Sequence, residues 1–489
     1  MTKAKILSAV NFGKRIAEDE IGALESYFVE TDQWRSVFSG EIDIVYGAKG
    51  SGKSAIYSLL LRKTRELLSR QILVVPSENV MGAPVFQALV SDPPSSEEQI
   101  RWMWKLYFLS VLGNAIRSNK ITNDAANELV GALEQARLLS PGWSLKRILR
   151  SVMDYVKRVE IGGEIKINPN TGLPEGVGGK ITFREPTADQ HNQGFVSADT
   201  LLEVANNAFA QVPLSVWMVL DRLDVAFSES AELEGKALRA LFRVYLDMLG
   251  FGNIFLKIFL RDDIWERITE TGFREASHIT RYTRIAWDSQ SLLNLIIRRA
   301  LHNEILRQQY AVVPELILAD TKLQQDLFYR VFPSQVEKTS TLNWMLLRTS
   351  DGKKQTAPRE LIHLVSAARD QQLRLLEMGS PEPTEETLID RTALKAALPE
   401  VSKVRFEQTL CAEYPALKPL LLRLEGEKTQ QSPKTLAKIW ATSENDAFAN
   451  AEKLAEVGFF EKRGTKEEPS FWVPYIYRGV LRMIQGQAK

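Results

Sequence analysis

Gly47-Ala48-Lys49-Gly50-Ser51-Gly52-Lys53-Ser54 satisfies G-x-x-x-x-G-K-[ST] at every fixed position. Residues 42–46 before it read as a short, mostly apolar strand. After it, Ile56, Leu59, Leu60 and Leu67 recur at helical spacing as far as Arg70. Strand, glycine loop and helix in that order are what a phosphate-binding loop requires. The glycines let consecutive backbone N–H groups point inward, and the positive end of the next helix dipole completes a nest for phosphates. Lys53 is expected to reach the β- and γ-phosphates, and Ser54 to hold Mg²⁺ through its hydroxyl.

The chain has 489 residues, too many for one core and enough for about three domains. Its 62 basic and 61 acidic residues nearly cancel, so bulk charge points to neither nucleic acid nor membrane. The single cysteine, Cys411, excludes an internal disulfide framework and fits a reducing compartment. The four histidines, His191, His278, His302 and His363, have no ligand-like spacing, which argues against zinc. With no cleavable leader and no uncharged run of about 18 apolar residues, the reading is a cytoplasmic protein without a membrane partner.

A phosphate loop needs a second acidic site for the metal. Residues 214–220 are a mostly apolar strand run ending in Asp221, followed by Arg222-Leu223-Asp224. Asp221, at the strand's carboxyl end, is expected to hold Mg²⁺ through water. Asp224 is placed to orient or deprotonate the attacking water. Residues 254–260, 283–287 and 72–76 supply further strands of one parallel sheet. Ligands of such sheets sit at the carboxyl ends, so Arg261 either faces the γ-phosphate or pairs at the surface with Asp262 or Asp263. No N-K-x-D or T-K-x-D segment is present to read guanine, which favours ATP over GTP.

The fold class expected is α/β: a P-loop NTPase core with a parallel five-stranded sheet, a large helical insertion, a helical lid and a C-terminal winged-helix domain. The core runs over residues 1–90 and 195–288, interrupted by an insertion at 91–194. That insertion opens on a very apolar helix around Trp102, Trp104 and Phe108. It continues in a basic amphipathic helix carrying Lys146, Arg147, Arg150, Lys157 and Arg158, and ends in a predicted β-hairpin over 159–167 and 178–183. A lid spans 289–378, in which Pro358 starts a helix and Arg359 on its first turn is positioned to sense the γ-phosphate. Residues 379–384 read as a linker to a last domain at 385–489, where two helices and a hairpin follow the winged-helix order. Its second helix carries Glu444, Asp446, Glu452 and Glu456 against Lys453, which favours a protein partner over DNA phosphates.

Several strings together resemble a group of bacterial P-loop ATPases related to the AAA+, STAND and KAP branches, with an origin-recognition-like layout. They are Phe12-Gly13, the Gly47–Ser54 loop, Leu220-Asp221-Arg222-Leu223-Asp224, Phe259-Leu260-Arg261-Asp262, Pro358-Arg359-Glu360-Leu361 and Phe459-Phe460. The resemblance covers most of the chain outside the insertion. It implies a nucleotide-driven conformational or assembly switch, a homo-oligomer with a protein partner or effector, and an association with antiviral defence. The sequence departs from the usual AAA+ pattern at Arg222, where the catalytic glutamate would stand, which implies slow turnover. Two alternatives stay open: a nucleotide-gated scaffold with little hydrolysis, and a DNA-bound regulator using the last domain.

Overall fold

The computed structural model describes residues 2–14, 20, 22, 24–78, 96–139, 144–161, 180–223, 231–270, 273–384, 386–465 and 467–488. The chain divides into two compact units. One comprises Asp32–Gly47 and Lys53–Arg284, the other Met1–Thr31, Ala48–Gly52 and Ile285–Lys489.

The first unit is built on five parallel strands: β1 (Ile44–Gly47), β2 (Ile72–Pro76), β3 (Ser215–Leu220), β4 (Ile254–Arg261) and β5 (Tyr282–Arg284). Their order across the sheet is β2-β3-β4-β1-β5, so the loop-bearing strand lies between the last two strands of the series. Strands β1 to β4 are mostly apolar runs rather than alternations, as expected where both faces of a parallel sheet are covered, whereas β5, at one edge, is Tyr-Thr-Arg and partly exposed. Ile44, Val216, Met218, Val219, Leu220, Ile254 and Ile258 are all fully buried.

Lys257 breaks the apolar run of β4, and a buried network accounts for it. Its ammonium donates to Asp43 Oδ1 at 2.7 Å and to the Ile42 carbonyl at 2.7 Å. It also lies 4.3 Å from the Trp217 ring centroid. Asp43 is held in turn by the Tyr245 hydroxyl at 3.1 Å and by Arg281 Nε at 3.0 Å. Both members of the central pair are 1% exposed. Burial outweighs the attraction of Asp43 and pushes the lysine down to about 8.

The helices of this unit follow from pattern. Helix α1 (Lys53–Arg62) buries Ile56, Tyr57, Leu59 and Leu60. Helix α2 (Glu97–Ser118) starts on a capping box between Ser96 and Gln99 and is buried along almost all its circumference. Helix α3 (Leu145–Ile161) buries Ile148, Leu149, Val152, Tyr155 and Val156, and leaves Lys146, Arg147, Arg150 and Lys157 exposed. Helix α4 (Ala231–Met248) packs on α2, where Trp104 Nε1 donates to the Ala237 carbonyl at 2.9 Å. The hairpin expected after α3 is corrected: residues 159–161 finish the helix. Ile181–Thr182 pairs in parallel with Val196–Ser197 instead. The helical period set by Val152, Tyr155 and Val156 carries through the alternation at 159–161, and the expected hairpin tip lies outside the described residues.

In the second unit, α5 (Ser289–His302) is capped by Asp288, whose Oδ1 accepts from Ser291 N at 2.7 Å. The opening residues are tied to it. Arg299 donates to the Phe12 carbonyl at 2.8 Å and pairs with Glu20 at 2.9 Å, and Gly13, at φ +90°, leaves no room for a side chain against that guanidinium. Helix α6 (Pro358–Glu377) packs along α7 (Arg391–Val404), which runs on as a π-helical turn, Arg405–Cys411.

A four-stranded sheet closes the chain: β6 (Lys428–Gln431), β7 (Glu461–Gly464), β8 (Pro469–Trp472) and β9 (Ile484–Gln487), in the order β7-β8-β6-β9. Between β6 and β7 lie α8 (Pro433–Trp440), ended by the left-handed Ala441, and α9 (Glu444–Glu456). Helix, turn, helix and antiparallel hairpin thus occur in the order read from sequence. No helix among the described residues is long and apolar enough to cross a membrane.

Candidate nucleotide-binding site

Strand β1 ends at Gly47 and α1 begins at Lys53, so the glycine motif occupies the turn between them. Gly50 (φ +80°) and Gly52 (φ +103°) are left-handed, a conformation that costs other residues about 1–2 kcal/mol. Ser51 N donates to the Ala48 carbonyl at 3.1 Å, tightening the turn. Lys53 Nζ folds back on its own loop and donates to the Gly47 carbonyl at 2.8 Å. With Lys53 and Ser54 as its first residues, α1 presents its positive end at the loop, the arrangement that attracts phosphate.

Register places other expected site residues at the same carboxyl edge. Gly47 of β1 is the direct partner of Arg261 on β4, and Leu220 of β3 is the partner of Ile258. Asp221 therefore follows immediately at the end of β3, where it is 4% exposed. Arg222, next to it, is left-handed at φ +61°. Asp224 lies outside the described residues. Arg261 pairs bidentately with Asp263, Nε–Oδ1 and Nη2–Oδ2 both at 2.9 Å. The neighbouring Asp262 is held by Arg284 of β5 at 2.6 Å.

Three further residues escaped sequence reading. Glu78, 1% exposed, follows β2 in a Pro-Ser-Glu exit, and its carbonyl accepts from Tyr57 of α1 at 2.8 Å. Burial first, then the charges of Asp221 and Glu78, drive the Tyr57 phenol far above its usual value, so it stays protonated and keeps the hydrogen it donates. Trp287 Nε1 donates to the Ser51 carbonyl at 2.7 Å and props the loop tip. Its signal was an indole one residue before the cap of α5, which had been read as the end of a strand.

Within the second unit the loop tip meets the start of α6. Arg359, the second residue of that helix, packs so closely that a Cβ added to Gly50 would lie 2.9 Å from the Arg359 Cβ. Lys49 forms an ion pair with Glu413. Arg359 Nε is buried without a hydrogen-bond partner among the described residues.

No protein-family profile and no curated protein matches the chain. Among solved structures, it is similar to the Walker-type ATPase PABY2304 of Pyrococcus abyssi, with TM-score 0.41 and 10% identity, covering 93% of this chain and 96% of that one. It is also similar to the ORC1 protein of Aeropyrum pernix in complex with DNA, with TM-score 0.37 and 11% identity over 96% of each chain. A third is the Aeropyrum pernix ORC2 protein in its ADPNP-ADP complexes, at TM-score 0.31 and 11% identity over 92% of each chain. Likenesses of this size carry no inference about activity or partners.

Proposed function

We infer that the chain is an ATP-binding P-loop ATPase acting as a nucleotide-driven conformational or assembly switch. The observation that carries this is the glycine loop at the carboxyl edge of a parallel sheet, with Lys53 on the first turn of α1, Arg261 in register with Gly47, and Asp221 buried at the end of β3. The backbone N–H groups of residues 47–54 bind the phosphates, and Lys53 exchanges the Gly47 carbonyl for phosphate oxygens.

The Ser54 hydroxyl and the Asp221 carboxylate are hard oxygen donors of the kind magnesium takes, and these two residues would hold it. When bound, the metal neutralises charge between the β- and γ-phosphates. Arg359 gives α6 a contact that differs between triphosphate and diphosphate, the requirement for a ligand-driven change. Asp224 is the proposed orienter of water. With Arg222 in the usual glutamate position, turnover is slow. The assembled form is a homo-oligomer working with a protein effector, and the resemblance drawn above places such switches in bacterial antiviral defence.

Steady-state ATP hydrolysis and ATP affinity, measured for the full chain and for Lys53→Ala across protein concentration, test this reading. Lysine-dependent turnover that rises per subunit with concentration supports an assembling ATPase. Binding unchanged by Lys53→Ala sinks the nucleotide site, and tight binding without turnover favours the gated scaffold. A DNA-bound ATPase is a second reading, favoured by the exposed Lys146, Arg147, Arg150 and Lys157 on α3. Helix α9 weighs against it, since its acids far outnumber its one lysine and Glu452 already pairs with Lys462 at 2.8 Å.

A further inference from the structure

A cavity of about 270 Å³ lies within the second unit, walled by the first turns of α6, the end of α7 and the π-helical turn after it. Lys49, Arg359, Glu360, Arg405, Gln408 and Thr409 are among its lining residues, and none comes from the parallel strands. Its volume falls below the roughly 300 Å³ at which drug-sized sites begin, so it suits a small ion and not a nucleoside.

Charge and hydrogen bonding on the wall are unbalanced in one specific way. Lys49 is met by Glu413, and Arg405 by Glu360 Oε1 at 3.0 Å, which leaves Arg359 as the cation without a counter-charge among the described residues. Among the described residues, Arg359 Nε is a buried donor with no acceptor, and Glu360 Oε2 is a buried acceptor with no donor. Glu360 is 5% exposed, and its pairing with Arg405 fixes the free oxygen. Buried polar atoms left unpaired are costly. Water would satisfy both atoms but would leave the guanidinium charge unanswered.

We propose that this cavity binds a hydrogenphosphate group. Its anionic oxygens accept from Arg359 and Lys49, and its remaining P–OH donates to Glu360 Oε2. A tetrahedral oxyanion that keeps one proton near neutral pH meets the donor and the acceptor at once. Because Lys49 belongs to the glycine loop, occupancy is linked to nucleotide binding; that linkage rests on the nucleotide reading, whereas the anion site does not.

Calorimetric titration of the nucleotide-free full chain with orthophosphate and with sulfate tests the proposal. Sulfate has no proton to give Glu360, so orthophosphate binds roughly tenfold tighter or more. Glu360→Gln keeps an acceptor for Arg405 and puts an amide donor in place of Oε2, so the preference moves toward sulfate. Gln408→Trp, at an exposed rim position, closes the mouth and abolishes the cavity's binding of both anions, leaving only what the glycine loop holds. Lys53→Ala removes phosphate held by the glycine loop and leaves the cavity's own share of binding, so its effect on ATP affinity judges the nucleotide site separately. O-Phosphoserine, whose ester group loses its last proton at about pH 6, competes weakly at neutral pH, and competition as strong as by orthophosphate would overturn the proposal. No phosphate binding, binding lost in Lys53→Ala but kept in Gln408→Trp, or equal anion affinities untouched by Glu360→Gln would each overturn the proposal.

Discussion

Gly50→Ala is expected to damage the loop tip through two separable terms. Holding alanine at φ +80° costs about 1–2 kcal/mol. The added methyl would also lie 2.9 Å from the Arg359 Cβ, well inside the ~3.5–4.0 Å of an ordinary carbon contact. That neighbour is anchored to a helix backbone and cannot swing away, so the overlap adds about 1–3 kcal/mol. The total, about 2–5 kcal/mol, corresponds to a melting temperature lower by roughly 4–20 °C at ~2–4 °C per kcal/mol. Arg359→Gly removes the opposing Cβ, and Ala357, at 3.5 Å, is an ordinary neighbour. In that background Gly50→Ala should cost only the conformational term. A double-mutant cycle read by calorimetric unfolding should therefore show a coupling of about 1–3 kcal/mol. An equal loss in both backgrounds refutes the contact between loop tip and helix.

Lys257→Met leaves Asp43 buried without its lysine and should destabilise by about 3–5 kcal/mol in urea unfolding, less if Asp43→Asn is combined with it. Burial holds Lys257 at about 8 against the usual 10.5, so between these values the unfolded chain binds the proton and the folded chain does not. Stability from this group thus rises with pH across that window and is lost on descending through it, a slope that Lys257→Met should erase. Arg299→Met strands Glu20 beneath Tyr27 and should release the N-terminal residues to limited proteolysis while leaving the parallel sheet protected in hydrogen exchange. Gly352→Ala would put a Cβ 2.1 Å from the Phe460 carbonyl oxygen, so a soluble, well-folded variant with unchanged melting would contradict that packing.

The glycine loop and four of the five strands were legible because each is a local signal, fixed glycine spacing in one and apolar runs in the other; the fifth, expected over 283–287, falls on the polar edge segment Tyr282–Arg284 instead. The strand order was not legible, since nothing in residues 254–261 announces that β4 lies between β1 and β3. The same limit hid the partner of Lys257, whose aspartate is 214 residues away. Arg261 read equally well as phosphate ligand or surface ion pair, and the structure adds its bidentate bond to Asp263. Residues 159–161 were misread because a valine, glutamate, isoleucine triplet fits a strand as well as a helix end. Glu78 and Trp287 matter only through what they touch, which no spacing rule reports.

The π-helical turn at Arg405–Cys411 has a consequence of counting rather than of chemistry. Such a turn is an α-helix holding one residue too many, and the surplus sets the angular phase of the residues within it. Deleting a single residue there would draw out the surplus and restore regular winding, shifting the residues inside the turn by one position while the flanking segments stay in phase. Arg405, which joins Glu360, Asp351 and Tyr477, would then lose its alignment with groups from three separate parts of the chain. In this stretch a one-residue deletion should therefore be more damaging than most substitutions.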